Sequence, residues 1–125
     1  MNVSDDDLLG FVAATFPSVW ALELLLVLKR ERQVWPRPEL VESLRASDLV
    51  VSKALDALVA AGLASIDADG AHYLPVNARV EQYVEGVEQL YRTRPNKVRR
   101  AIIAASAGSA TAFAEAFRLR KGRDD

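Results

Sequence analysis

The sequence VSKALDALVAAGL, residues 51–63, contains the spacing on which the prediction of the fold depends. Its apolar residues Val51, Leu55 and Leu58 recur at intervals of four and three, which places them on one side of an α-helix. The opposite side of this helix carries a single cation. The pattern predicts a helix over 48–61 with one side packed on a core and an outer side that is available for contacts.

Residues that favour helix ends mark the limits of this helix and of the one before it. Ser47 is a good N-cap, and Gly62 supplies the C′ residue at which helices commonly stop. Pro36 and Pro38 preset the first turn of a preceding helix, which ends near Ala46. The sequence therefore predicts two helices joined by a tight turn, a helix-turn-helix.

A β-hairpin is predicted directly after the helix-turn-helix. The segments 63–67 and 71–76 are short and β-prone, and the Asp-Gly pair in the connection 68–70 is typical of a hairpin turn. A further β-prone stretch, 33–35, lies before the helix-turn-helix. Short strands are thus expected on both sides of the helix pair.

Helical spacing also predicts helices outside this region, over 4–16, 19–28, 78–93 and 96–106, and Ser4 and Ser18 are suited to cap the first two. The second of them is apolar nearly all round, so it must be covered on more than one side. After a break at Gly108, the apolar positions Phe113, Phe117 and Leu119 continue the pattern. Eight alanines between 101 and 116 leave a smooth surface that suits self-association.

The composition excludes several classes of function. The chain has 125 residues, half of them apolar, which is enough for a single domain with a modest core. Cysteine is absent and His72 is the single histidine, so disulfide scaffolds, thiolate zinc sites and multi-histidine metal sites are excluded. Because no phosphate loop or nucleophile motif is present, the sequence predicts no enzyme, no cofactor and no metal. No apolar run approaches the ~18 residues of a membrane span and no signal peptide is recognisable, so the expected location is cytoplasmic without a membrane partner.

Charge is distributed unevenly along the chain. Residues 1–91 carry 7 basic and 14 acidic side chains, whereas residues 92–125 carry 9 basic and 3 acidic ones. A basic group is concentrated between the last two predicted helices and consists of Arg92, Arg94, Lys97, Arg99 and Arg100. Three interpretations stay open for this group: an extended track for phosphates, a contact with the acidic part of a partner subunit, or a solvated helix junction.

The predicted order of elements is helix, helix, short strand, helix, capped helix, hairpin, helix, helix, which is the order of a winged helix-turn-helix. The stretch 51–63 resembles the V-S-R-x-L-x-x-L-x-x-x-G-L sequence of winged-helix transcription regulators. The flanking helices, 4–16 and 78–120, resemble the layout of the MarR family, whose terminal helices form a homodimer. LPVNAR at 74–79 lies where that family usually has L-T-x-x-G-R. The resemblance implies a mainly α (α+β) single domain, with a winged-helix core over 18–76.

The resemblance also implies a homodimer that binds double-stranded DNA and inserts helix 48–61 into the major groove. The residues expected to contact bases are Ser47, Val50, Ser52 and Lys53, and those expected to contact phosphates are Arg37, Arg45 and His72. Regulation of transcription would follow from steric control of a promoter.

The charges of the predicted site leave two other functions open. Asp48 and Asp56 lie on or near the face that would contact DNA and repel phosphates, and the hairpin tip 67–72 contains no arginine. A winged-helix module that binds another protein is therefore the main alternative. Its surface would consist of Leu49, Val50, Ala57 and the acidic hairpin tip. A purely structural dimer built on helices 96–120 is the third interpretation.

Overall fold

Within residues 3–106, four α-helices precede a β-hairpin and two helices follow it. The structure, a computed structural model, describes these residues. The elements are α1 (Asp5–Thr15), α2 (Val19–Arg30), α3 (Arg37–Leu44), α4 (Asp48–Ala60), β1 (Ala64–Asp67), β2 (Gly70–Tyr73), α5 (Ala78–Thr93) and α6 (95–106). The predicted mainly α, winged-helix-like fold with a short hairpin is confirmed. The predicted break at Gly108 and the apolar residues Phe113, Phe117 and Leu119 lie outside the described residues.

Capping side chains define where four of these helices begin. The hydroxyls of Ser4, Ser18 and Ser47 each accept a hydrogen bond from a backbone N–H three residues further on, at 3.1, 3.2 and 3.1 Å. Asn77 Oδ1 does the same for α5, at 2.9 Å. The three serine caps were expected from the sequence, and each satisfies one of the N–H groups that a helix start leaves without a partner.

Helix α2 lies at the centre of the core. It contacts α3, α4 and β2, which confirms that its apolar surface needs cover on several sides. The buried residues of α2 are Ala21, Leu22, Leu24, Leu25, Leu26 and Leu28. Val51, Leu55 and Leu58 of α4 are also buried, as their spacing predicted. The core therefore holds α4 by one side only.

Helices α1 and α2 meet at an angle of 106°. The chain bends at Pro17, next to the buried ring of Phe16. Helix α1 then packs against α5, so the two flanking helices lie together. Among residues 3–106, no helix by itself combines the length and apolarity that crossing a membrane would need, and α1 with α2 meets that test only as this bent pair.

The hairpin is joined to the segment that precedes α3. Strands β1 and β2 pair antiparallel from Ala64 opposite Tyr73 to Asp67 opposite Gly70. Trp35 forms an additional bridge to Ala71, in which the backbone nitrogen of each residue donates to the carbonyl oxygen of the other. The nitrogen–oxygen distances are 2.7 and 2.9 Å. The β-prone stretch 33–35 thus supplies one bridge beside β2, and the chain before α3 becomes part of the hairpin's support.

The strands are shorter than the sequence predicted. Strand β1 begins at Ala64 rather than at 63, and β2 spans Gly70–Tyr73 rather than 71–76. Gly70 is part of β2 because it pairs with Asp67 of β1, and its positive φ of 143° lets the backbone approach Trp35 closely. Beyond the strand, Val76 still donates to the Gly62 carbonyl at 2.8 Å, so pairing continues irregularly past Pro75, which has no N–H to donate.

Candidate nucleic-acid interface

The outer face of α4, formed by Leu49, Lys53, Asp56, Ala57 and Ala60, is the candidate interface. Four of these residues are exposed and Ala57 is half-buried. Leu49 exposes 61% of its surface, a large fraction for an apolar side chain in a helix. The expectation that the outer side of this helix is not packed on the core is therefore confirmed.

Arg37 connects α3 to the first turns of α4. Its Nη1 donates a hydrogen bond to Ser52 Oγ at 3.0 Å, and its Nε lies 3.4 Å from Asp48 Oδ1. Both charged side chains remain largely exposed, at 55% and 72%, so the ion pair contributes little to stability. The structure thus brings together two predicted DNA contacts, Arg37 and Ser52, and adds a carboxylate that offsets the charge of the arginine.

The turn between α3 and α4 holds Arg45 and Ser47. Arg45 has a left-handed backbone, with φ 53° and ψ 42°, and its N–H bonds to the carbonyls of Glu42 and Val41. Ser47 Oγ accepts from the backbone N–H of Val50, so its first role is to cap α4. Both residues are exposed, whereas Val50 is half-buried. This turn therefore presents a cation next to the start of the candidate interface.

Lys53 is the exposed cation on the outer face of α4. Within residues 3–106 it makes no ion pair, whereas Arg37 is engaged with Asp48. Asp56 lies three residues further along the same helix and is also exposed. An approaching phosphate is therefore attracted by Lys53 and Arg45 and repelled by the carboxylates of Asp48 and Asp56.

His72 lies in β2 opposite Ser65 and is half-buried. Its Nδ1 is buried and has no hydrogen-bond partner among the described residues, which leaves Nε2 as the nitrogen able to reach a phosphate. At the hairpin tip, Asp67 Oδ1 accepts the backbone N–H groups of Asp69 and Gly70 at 2.8 and 3.2 Å. The tip is thus ordered by an acidic side chain and offers carboxylates to a partner.

The inner side of the hairpin is anchored by Tyr73. Its ring is buried, with the guanidinium of Arg32 5.0 Å from the ring centre, and Arg32 also pairs with Glu81 of α5 at 3.5 Å. Burial, and then the charge of Glu81, raises the pKa of Tyr73 to about 12. The tyrosine therefore stays neutral, and these contacts keep the hairpin beside α2 and α5.

The structure thus places Ser47, Ser52, Lys53, Arg37 and Arg45 near one end of the helix-turn-helix, with His72 on the hairpin. The link from Arg37 to Asp48 and Ser52 was not predicted. It joins residues eleven and fifteen positions apart, and no local spacing rule covers such a separation.

No protein-family model, curated protein or solved structure matches this chain. The functional interpretation therefore depends on the geometry of the described residues. Within 3–106, no group of three or more His, Cys, Asp or Glu side chains is arranged to hold a metal ion.

Proposed function

We propose that this protein binds double-stranded DNA through its winged helix-turn-helix and regulates transcription by occupying a promoter. The observation that carries the proposal is the position of α4. Its inner side is fixed against α2, while its outer face, and above all its first two turns, is exposed. An exposed helix of this diameter fits the major groove of B-DNA, which admits one α-helix.

Outward-facing residues in the first turns of α4, together with Arg37 of α3, have roles in this complex. Lys53 contacts a phosphate or a guanine edge, and Leu49 with Val50 contacts thymine methyl groups. Arg37 exchanges Asp48 for a phosphate oxygen, because a weak exposed ion pair is easily replaced by a fully charged anion. Ser52 keeps a hydroxyl hydrogen to donate while accepting from Arg37.

The proposed active form is a homodimer, as the resemblance to the MarR family implies. Helices α1 and α5 pack together on the flanks of the winged-helix core, and the outer residues in the first turns of α4 remain exposed. A two-fold dimer of this kind would place its two α4 helices in successive major grooves, about 10 base pairs apart. The bound sequence would then be palindromic.

The proposal is tested by selecting DNA from a pool of random duplexes with the full-length chain. We expect enrichment of one palindromic sequence, because two copies of α4 would read two equivalent half-sites. Lys53→Glu should weaken binding to that duplex by about ten-fold or more, since losing a base or phosphate contact costs ~1–3 kcal/mol.

Arg79→Glu is the matched control for this charge reversal. Arg79 is exposed in the first turn of α5, where it lies 5.7 Å from the ring centre of Tyr83, on the surface shared with α1. The control should keep the oligomeric state of the wild type in sedimentation, because α5 belongs to the proposed dimer, and should then bind DNA as the wild type does. Equal binding by Lys53→Glu and Arg79→Glu would show that α4 is not the helix that contacts DNA.

A second candidate function, binding of a protein partner, is favoured by the exposure of Leu49 between Asp48 and the half-buried Val50. An apolar side chain beside a carboxylate suits a partner that offers a pocket rimmed by cations. Leu49→Asp should then abolish capture of a partner by the immobilised protein, while Ile103→Asp, an equally exposed aliphatic on α6, should leave capture unchanged. Protein binding as the function would be excluded if the wild type is retained on DNA at low salt and Leu49→Asp captures the same proteins as the wild type.

A further inference from the structure

The largest concentration of cations in the described residues lies away from α4. It is the basic junction between α5 and α6, formed by Arg92, Arg94, Lys97, Arg99 and Arg100, and all five side chains belong to exposed residues. The ion pairs found in residues 3–106 use Lys29, Arg30, Arg32 and Arg37 instead. The chain thus satisfies four of its other cations internally and leaves the basic junction without a carboxylate partner among these residues.

The position of the basic junction in α6 is electrostatically unfavourable without an anion. A helix start carries partial positive charge, and α1, α3, α4 and α5 accordingly have acids in their first turns. Helix α6 begins at 95 and instead has Lys97, Arg99 and Arg100 in its first two turns. From Gln89 to Ala114 the sequence contains no carboxylate. A negatively charged partner would relieve this repulsion and gain from the helix start as well.

A cleft connects the basic junction to the turn of the helix-turn-helix. Arg99 lines this cleft of about 440 Å³ together with Trp20, Ser43 and Leu44, and Arg45 follows Leu44 directly. Arg99 and the end of α3, which Arg45 follows in sequence, therefore share one cleft, and Glu23 lines it as well. Trp20 is 41% exposed within it.

Arg99 is held in place by Tyr91. Its guanidinium lies 5.3 Å from the ring centre, and Tyr91 donates a hydrogen bond to Glu23 Oε2 at 2.9 Å. Burial and the bond to Glu23 raise the pKa of Tyr91, so the hydroxyl remains a donor and Glu23 is already engaged. Arg99 Nη1 also donates to Asn96 Oδ1 at 3.4 Å, a long hydrogen bond at an exposed residue that an anion from outside the protein would replace.

We propose that the basic junction binds the phosphate backbone of DNA next to the segment contacted by α4, and that it supplies most of the electrostatic attraction. This inference rests on the proposed function. Four of the five cations are arginines, whose planar guanidinium matches phosphate oxygens in pairs. The acidic surface of a second copy is the alternative partner, because exposed carboxylates such as Asp56 and Asp69 form no ion pair among the described residues, and sedimentation distinguishes the two partners.

The test uses the salt dependence of binding to a duplex of arbitrary sequence, which does not require the specific site. The variant Arg94→Gln/Lys97→Gln/Arg100→Gln removes three cations whose side chains make no hydrogen bond within the described residues. The control Arg79→Glu/Gln82→Glu lowers the net charge equally at two exposed positions of α5. Each phosphate contact contributes about 0.9 to the slope of log K against log salt.

We expect the triple variant to lose about 2.7 from the magnitude of this slope, whereas the control keeps the wild-type slope. Raising salt from about 50 to about 200 mM would then weaken the wild type about 40-fold more than the variant. If the slope is unchanged in the triple variant while Lys53→Glu binds more weakly, the proposed role of the basic junction is wrong and the proposed function stands. No binding of the wild type to any duplex at low salt would overturn the proposed function and this inference with it.

Sedimentation of the same proteins distinguishes DNA from a protein surface. The triple variant should keep the oligomeric state of the wild type. If it instead dissociates a dimer that the control retains, and its slope on DNA is unchanged, the basic junction contacts the acidic surface of a second copy and the inference is wrong.

Discussion

Gly70 offers the most direct test of how the hairpin is attached to the rest of the protein. It begins β2 with a φ of 143°, a backbone conformation that residues with a side chain rarely adopt. A Cβ at this position would overlap the carbonyl oxygen of Trp35 and lie 2.8 Å from the nitrogen of Pro36. Because these are backbone atoms of the segment before α3, they cannot rotate away as the end of a side chain can.

The expected cost of Gly70→Ala has two parts. An alanine at this φ costs ~1–3 kcal/mol. The Trp35 carbonyl must also move from its position as acceptor for the Ala71 N–H, now at 2.9 Å, and a lost hydrogen bond costs ~0.5–1.5 kcal/mol. We therefore expect the free energy of unfolding to fall by about 2–4 kcal/mol, a large part of the ~5–15 kcal/mol of an ordinary domain.

Gly10→Ala is the matched control, because it adds the same methyl group where there is room for it. Gly10 lies inside α1, and a Cβ there would meet no other atom within 4 Å. Alanine should stabilise this helix by ~0.5–1 kcal/mol. Urea titrations followed by circular dichroism give both free energies by linear extrapolation. With Trp20→Phe in every protein compared, fluorescence of the buried Trp35 reports on the hairpin contact itself.

The result that would refute this reasoning is a Gly70→Ala protein within ~0.5 kcal/mol of the wild type, with an unchanged dependence on urea. The hairpin would then not approach the segment before α3 as closely as the structure shows. The position of the hairpin beside α4 would have to be revised.

Two further perturbations test the cap of α4 at the candidate interface and the ion pairs between α2 and α5. Ser47→Ala should lower the free energy of unfolding by about 1 kcal/mol, and Ser47→Gly should lower it by only a few tenths. Alanine removes the cap of α4, whereas glycine still tolerates the backbone conformation of a cap residue. Equal urea midpoints for the two variants would contradict the capping role of Ser47. Burial by itself would raise the pKa of Glu88, but its hydrogen bonds to Lys29 at 2.8 Å and Arg30 at 3.4 Å outweigh burial and lower it. The ionised Glu88 therefore stabilises the folded protein at pH values above the ordinary glutamate pKa of about 4.3, and this contribution is lost as the pH falls through the lowered pKa of Glu88 in the folded state. Acidification should consequently destabilise the wild type more than Glu88→Gln. The exposed Glu85→Gln should follow the wild type, and parallel acid profiles of all three proteins would rule out the Glu88 contribution.

Features encoded within a few residues were predicted well from the sequence. Helix α5 was predicted over 78–93 and has these bounds in the structure, and the serine caps at Ser4, Ser18 and Ser47 are all present. A cap depends on one side chain and a backbone N–H three residues away, so local spacing is sufficient to predict it. Local spacing was also sufficient to predict which side of α4 is buried and which side is exposed.

Features that join distant parts of the chain were not predicted. Trp35 was recognised as β-prone, but its bridge to Ala71 crosses the helix-turn-helix and depends on how α3 and α4 pack. The start of β2 at Gly70 was also missed: Gly70 pairs with Asp67, and the backbone of the distant Trp35 lies against it. Periodicity contains no information on contacts over such separations.

The sequence by itself determined that α4 has an apolar side and a weakly charged outer side, and that basic residues accumulate after residue 91. Only the tertiary structure decided which cations are engaged. Arg37 is occupied by Asp48 and Ser52, whereas the basic junction has no carboxylate partner within the described residues. The physical reason is that ion pairs and hydrogen bonds act over a few ångströms, and folding alone determines which distant residues come that close.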